Sequence, residues 1–287
     1  MKKFLIALVA IVMVAVCGVL VGCSQVNHLK LVSMGWNAYE KFTYTVYQTE
    51  GEAKTEVGTM VYTFKALKGE TVNVNGHDYE VKDGAQFTTK LTITAGEYAG
   101  EELVAVVLTN GDFSPIVSYK YLTTTDTARA YTVEIVYGGK NTKVTYNGTE
   151  KTMNAKSPCY DNDSFYSLIR GSGTMSDSSF SMSFSTVDAA NAALRSVSIA
   201  MTSNSETVKV PYFKDAQPVD ENDTDPTAKA VYSIRATAAA SYGSGTSTYL
   251  YYAKKPIALD GKYFRHVLLK VVEGNFSYEL AGISYNA

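Results

Sequence analysis

Side chains able to run acid–base, nucleophilic or metal chemistry are few in this sequence. Histidine occurs only at His28, His77 and His266, and cysteine only at Cys17, Cys23 and Cys159. No His-Glu-x-x-His, Cys-x-x-Cys or Gly-x-x-x-x-Gly-Lys run is present. Zinc hydrolysis therefore lacks its paired imidazoles, and nucleotide hydrolysis its glycine-rich cradle and lysine. Gly243-Ser244-Gly245 sets a serine between glycines, but the elbow that exposes a nucleophile needs Gly-x-Ser-x-Gly between a strand and a helix. Residues 241–248 read instead as a flexible turn. Asp220, Glu221, Asp223 and Asp225 could gather oxygens around calcium, yet the glycine and distal glutamate of an EF-hand loop are missing, and a solvated loop fits better. Asp161 and Asp163 suit the opening of a helix, whose unpaired N–H groups a carboxylate can cap. Cys159 has no histidine near it in sequence, so a buried, inert thiol is expected. His77 should follow a hairpin turn and His266 should lie in a strand, both as structural residues. No catalytic residue, metal or cofactor is expected, and the chain reads as a protein that is not an enzyme.

The elements that must position these residues are β-strands. The chain holds 22 Tyr and 11 Phe with abundant Thr and Val, a strand-forming composition. Phe42, Tyr44 and Val46 share one face of a strand, Met60, Tyr62 and Phe64 one face of the next, and Tyr131, Val133, Ile135 and Tyr137 one face of a third. Their opposite faces are polar or Thr-rich, as in antiparallel strands with one face on a core and one in water. Asn75-Gly76 and Asn147-Gly148 can take the positive φ angles of two-residue hairpin turns. Gly138-Gly139 and Glu273-Gly274-Asn275 mark further reversals. Tyr249, Tyr251 and Tyr252, with Tyr242 upstream, and Tyr119, Tyr121 and Tyr131 join large apolar bodies to polar tips, suited to a sheet core or to a ligand groove.

Two stretches break the alternation. Residues 160–170 place Phe165, Leu168 and Ile169 at helical spacing after acids and Ser, with Gly171 beyond, and predict a short helix. Residues 187–194 are Ala-rich behind Ser185 or Thr186, with Asp188 in the first turn, and predict a second. The predicted fold is mainly β: curved antiparallel meander sheets, as a half-barrel or as two packed β halves, with one or two short helices. The expected organisation is a signal peptide over 1–22, a tether over 23–35, and β halves over 36–175 and 176–287, the second interrupted by an acidic, proline-containing loop at 214–229. The run from Val104 through Gly111-Asp112-Phe113-Ser114 echoes that from Val267 through Gly274-Asn275-Phe276-Ser277, which suggests either a duplication or shared hairpin grammar.

The N-terminus opens with Lys2 and Lys3 and continues as an apolar run from Phe4 to Val21, an export signal by pattern. The run is long enough to be retained as a membrane anchor instead. At its end, Leu20-Val21-Gly22-Cys23 resembles the bacterial lipobox. The resemblance implies a bacterial lipoprotein, cleaved between Gly22 and Cys23 and acylated on Cys23, with the body outside the cytoplasm. Cys17, preceded by Val16, lacks the small residue this requires. Ser24 follows Cys23, and proteins with this pattern proceed to the outer membrane where there are two membranes, or stay at the cell membrane where there is one. Loss of Lys2 and Lys3 takes the formal net charge from −2 to −4. With basic residues thinly spread, no nucleic-acid partner is expected. Cleavage and acylation leave Cys159 without an intramolecular disulfide partner.

The body resembles the LolA/LolB-like lipoprotein-carrier superfamily and related uncharacterised envelope families. Asp161, Ser164, Tyr166, Leu168 and Arg170 lie close to the spacing of an Asp-x-x-Ser-x-x-Tyr-x-Leu-Arg element in some of those families, with Ile169 inserted before Arg170, and the likeness covers residues 36–171. It implies a concave sheet partly closed by short helices, offering an apolar cavity to an acyl chain or another envelope component. No binding residue is carried over. The expectation is a membrane-anchored binding or carrier protein for an apolar or lipid-like ligand; the alternative is a surface structural or interaction module that contacts an envelope protein or glycan.

Overall fold

The computed structural model describes residues 27–28, 36–155, 159–171, 179–203, 208, 210–214, 231–236, 248–253 and 256–285. The first strand, β1, is Asn27–His28, inside the expected tether. A long meander follows: β2 (Tyr39–Glu50), β3 (Ala53–Leu67), β4 (Glu70–Val74), β5 (His77–Val81), β6 (Gly84–Ile93), β7 (Glu102–Asn110), β8 (Pro115–Thr123), β9 (Tyr131–Val136), β10 (Thr142–Tyr146) and β11 (Thr149–Met153). Helix α1 (Phe165–Arg170) comes next. The remaining strands are β12 (Ser179–Asp188), β13 (Ala193–Ser203), β14 (Val231–Ala236), β15 (Thr248–Ala253), β16 (Ile257–Leu259), β17 (Lys262–Phe264), β18 (Leu268–Glu273) and β19 (Phe276–Ser284).

The fold is mainly β, as the alternation predicts. Among the described residues, fifteen strands form one sheet in the order β1-β12-β13-β14-β15-β18-β19-β2-β3-β6-β7-β8-β9-β10-β11. Every neighbouring pair is antiparallel except β1 with β12. The last strand joins the ladder at β2, from Phe276 opposite Gln48 to Ser284 opposite Lys41, so residues on both sides of position 175 share one sheet.

Alternation places the core. In β2, Glu40, Phe42, Tyr44, Val46 and Gln48 are buried while the residues between them are half-buried. The same face of β3, β6, β7, β18 and β19 contributes Phe64, Phe87, Leu103, Val271 and Tyr278 to a single cluster, with Leu168 and Ile169 of α1 inside it. The sheet bends around that cluster. Bulges interrupt the register at Val46/Tyr47, Leu108/Thr109, Tyr251/Tyr252 and Leu280/Gly282, and each adds local twist and bend. Gly58 sits at the first of these, where a Cβ would stand 2.2 Å from the Thr92 carbonyl oxygen. Only glycine permits that approach.

The ladder does not close into a barrel, yet its two ends are drawn together. Tyr160 N–H donates to the Ser185 carbonyl of β12 at 2.9 Å. Val187 and Cys159 pack with Val133, Ile135 and Val144 of β9 and β10. On the outer face, the β4–β5 hairpin lays Val74 and Val81 over Leu108 and Val117, a small second core.

Asn75 and Gly76 (φ 50° and 82°) and Asn147 and Gly148 (φ 47° and 76°) turn their hairpins as expected. Gly139–Asn141 forms a 3-10 turn between β9 and β10, and Gly274 reverses the chain between β18 and β19. Helix α1 is shorter than residues 160–170. Asp161 does not cap it, and Ser164 precedes it without a side-chain cap. The second expected helix, 187–194, is absent: β12 runs through Asp188 and β13 resumes at Ala193, paired over ten residues. Two or three helical turns cannot outweigh such a ladder. Asp188 instead accepts hydrogen bonds from Asn191 and Arg195 across the turn. The two echoing segments are both hairpins but turn differently: Phe113 lies in the loop at φ 63°, whereas Phe276 opens β19 opposite Glu273.

Candidate functional site

A six-residue helix is too short to hold itself together in water. Helix α1 persists because side chains on both its flanks are fastened to strands far apart in the sheet. Arg170 pairs with Glu40 of β2 at 2.8 Å, the two side chains only 3 % and 0 % exposed. The same guanidinium donates to the Arg265 carbonyl oxygen at 2.9 and 3.2 Å, and Asn37 donates twice to the second Glu40 oxygen at 3.0 Å. Tyr252 of β15 donates to the Tyr166 carbonyl at 2.7 Å, and Tyr166 donates to Glu273 of β18 at 2.9 Å. Just before the helix, Asp163 meets Lys120 of β8 at 2.8 Å. One short segment that touches β2, β8, β15 and β18 must lie inside the curve of the sheet, as a plug.

The approach to the plug is polar and buried. Asp161 accepts from the Tyr137 hydroxyl at 2.7 Å and from Asp163 N–H at 2.8 Å. Burial, and then the charge of Asp163, push its carboxyl above the ordinary aspartate range, although the hydrogen bonds from Tyr137, Asp163 and Ser118 oppose this. Burial opposes the charge on Lys120, but Asp163, Tyr131 and Asp161 together outweigh it and raise the ammonium pKa. Cys159 is driven by burial and by Asp161 up to about 12, which leaves the thiol protonated and unreactive at neutral pH.

Beside Tyr166 the plug leaves a cleft. Its apolar wall is Met60, Leu91, Leu103 and Val271, with Thr89; its polar rim is Asp163, Tyr166, Glu273 and Tyr278. The enclosed space is about 20 Å3, room for about one water molecule. A second void of about 10 Å3 also touches Tyr166 and lies against Tyr44, Tyr62, Ser167 and Arg170. The Tyr62 hydroxyl there is buried without a partner in ordinary hydrogen-bonding geometry, Ser167 being the neighbouring hydroxyl. Burial raises the phenols of Tyr44, Tyr62 and Tyr166, so all three are neutral donors.

The residues marked by the sequence fall in several places. Gly22 and Cys23 lie outside the described residues, as do Gly243-Ser244-Gly245, Tyr242 and the acidic run from Asp220 to Asp225. His28 belongs to β1, and His77 is exposed at the start of β5. His266 is not in a strand: it occupies the turn before β18 at φ 47°, with Nδ1 buried and unpartnered. Among the described residues, no group of three His, Cys, Asp or Glu side chains is placed to hold a metal, and no helix is long and apolar enough to cross a membrane. Tyr252 is core, Tyr249 is 40 % exposed, and Tyr119 and Tyr121 lean together at 5.9 Å on the outer face of β8. The cleft takes Tyr166 and Tyr278 instead. Of Asp161, Ser164, Tyr166, Leu168 and Arg170, the plug is tied outward through Asp161, Tyr166 and Arg170; Leu168 is core, and the Ser164 hydroxyl donates to the Asp161 carbonyl within the segment. Glu40 and Lys120 carried no signal in sequence, and Glu273 was marked only as part of a reversal; Glu40 and Arg170 are 130 residues apart.

No protein-family model matches the sequence, and no curated protein matches it. Among solved structures, the chain is similar to a β-barrel-like protein of the domain of unknown function DUF1849 from Brucella abortus, at 11 % identity over 88 % of this chain and 99 % of that one, with a TM-score of 0.49.

Proposed function

We propose that this chain is an extracytoplasmic lipoprotein, anchored through acylated Cys23, that binds an apolar or lipid-like ligand without converting it. The observation that carries this reading is the cleft beside α1, an apolar wall of Met60, Leu91, Leu103 and Val271 closed at one end by hydroxyls and carboxylates. Apolar walls with a few convergent polar groups are the usual form of a ligand site. At about 20 Å3 the cleft is too small for an acyl chain, so a ligand enters by displacing α1, which its own length cannot stabilise. The test is organic extraction and mass spectrometry of protein purified from membranes, with thermal unfolding in the presence of palmitate and of lysophosphatidylcholine. A co-extracted lipid, or a rise in Tm that grows with ligand concentration, supports the reading. An empty extract with an unmoved Tm overturns it. Cys23→Ser should in addition release the protein from the membrane fraction.

The dense fill of the inner face favours a second reading. Phe64, Phe87, Tyr252, Phe264 and Phe276 are each under 2 % exposed, and Trp36 packs on Phe64 and Phe113 at 4.9 and 5.0 Å. A core packed this way serves a structural or interaction module that meets an envelope protein or glycan through its outer surface. Failure to recover any lipid would turn the argument toward it.

A further inference from the structure

The strand order sets the end of the sheet from which β1 enters. β1 runs parallel to β12, Asn27 opposite Met182 and His28 opposite Ser183, so the chain enters from the end at which β12 begins. Tracing the antiparallel registers onward, that end also holds the finish of β13, the start of β14, the finish of β15 and the start of β18. The link from β15 to β18 therefore projects there, and it carries the β16–β17 hairpin. Ile257 and Phe264 fix this hairpin in the core, while Tyr263 points away and is 63 % exposed. Among the described residues, the other exposed large hydrophobics are Leu194 and Tyr249, less exposed at 41 % and 40 %; Leu194 lies at the far end, opposite Val187, while Tyr249 is level with Ser181 through Arg235 and Ala200. Ala258, directly across from Tyr263, shares its face and is exposed. On the opposite face of the hairpin, that of Phe264, Lys262 sets its ammonium 5.9 Å from the Tyr285 ring.

Three residues, Ser24, Gln25 and Val26, separate Cys23 from Asn27. At a maximum of about 3.6 Å per residue, Cys23 lies within about 14 Å of Asn27. The far end of β12, at Asp188, is six residues past Met182, about 20 Å along the strand. With the far end leading, Asn27 would stand about 20 Å from the lipid surface, beyond the reach of the tether, whereas with the near end leading it is within that reach.

We propose that the end of the sheet at which β12 begins faces the bilayer, and that the β16–β17 hairpin rests Tyr263 among the lipid headgroups. The partner is a lipid surface, and the proposal rests on the acylation of Cys23 put forward above. A phenol ring suits that interface, because its apolar body stays at headgroup depth with the hydroxyl in the polar layer. Tyr263 then acts as a second contact beside the acyl chains, which fixes the orientation of the body.

The test uses the full acylated protein in phosphatidylcholine vesicles containing a headgroup-nitroxide lipid. A bimane fluorophore is placed on Ala258→Cys or, at the far turn, on Ala190→Cys. Cys159 is buried and Cys23 would be acylated, so the introduced thiol takes the label. Quenching at 258 should exceed that at 190 by about twofold or more, as for a group seated at the headgroup boundary, and Tyr263→Asp should reduce it. Intact mass of the same sample reports the acyl groups. An acylated protein with equal quenching at the two sites, or more at 190, overturns the orientation and leaves the anchor standing; an unmodified thiol at Cys23 overturns both.

Discussion

The pair of Arg170 and Glu40 concentrates the risk in this molecule at two residues. Both charges are out of water, and removal of one partner strands the other. Arg170→Met should therefore destabilise the protein by about 3–5 kcal/mol, while Arg170→Met with Glu40→Leu should recover much of that loss, because an apolar pair replaces a buried ion pair at little net cost. Urea midpoints of the two variants and the parent decide it. His266 gives the molecule a pH dependence with a definite sign. Burial, then Arg170 and Arg265, hold its pKa below the ordinary histidine value, against a backbone hydrogen bond with Ala253. The unfolded chain thus binds the proton first, and the stabilising share of the neutral imidazole, whole above the unfolded value, is lost as pH falls through the folded one. His266→Asn tolerates the left-handed backbone and should flatten the fall in urea midpoint between about pH 7 and pH 5; an unchanged slope would count against this assignment. None of this was legible in the sequence. Residues 40 and 170, or 166 and 273, meet only once the sheet has curved, and no local spacing records that.

At the scale of elements, most of the ladder was legible because its grammar is local. Alternation at Phe42, Tyr44 and Val46 and the glycines after Asn75 and Asn147 fix faces and turns within a few residues. The exception is instructive. Residues 187–194 hold good helix formers, but Ala propensity is worth tenths of a kcal/mol per residue, and the pairing of β12 with β13 prevails. Curvature was the other hidden property, since a bulge leaves a weak trace in composition. Gly58 is its clearest sign. An added Cβ meets backbone, not a movable side chain, 2.2 Å from the Thr92 oxygen, so the strands must part or the bend must open. Gly58→Ala should cost about 1–3 kcal/mol and raise amide exchange in β3 and β6 before other strands. Exchange that rises evenly across the sheet would place the strain elsewhere.

For the whole molecule, the arrangement of strands in space departs from their order along the chain. The N-terminal run from β2 to β11 supplies one side of the sheet, but the free edge of β2 is covered by β19, and α1 is fastened to Tyr252 and Glu273 as well as to Glu40 and Lys120. A chain ending at residue 175 would expose a 12-residue edge strand and leave its plug half tied. Long unpaired edges of this kind recruit other chains. Residues 36–175 alone should therefore aggregate or give a collapsed, poorly dispersed amide spectrum, while the full body should lose its near- and far-ultraviolet circular dichroism in one coincident transition. A sharp, dispersed spectrum from the shorter chain would mean that the two β halves fold independently and that the β2–β19 ladder only docks them. The same dependence bears on ligand entry: because α1 draws its stability from strands on both sides of β2, its displacement is coupled to the curvature of the whole sheet. Binding in the cleft should then raise amide exchange in α1 without raising it in β2 and β19, and exchange that rises in all three together would mean that the sheet itself opens.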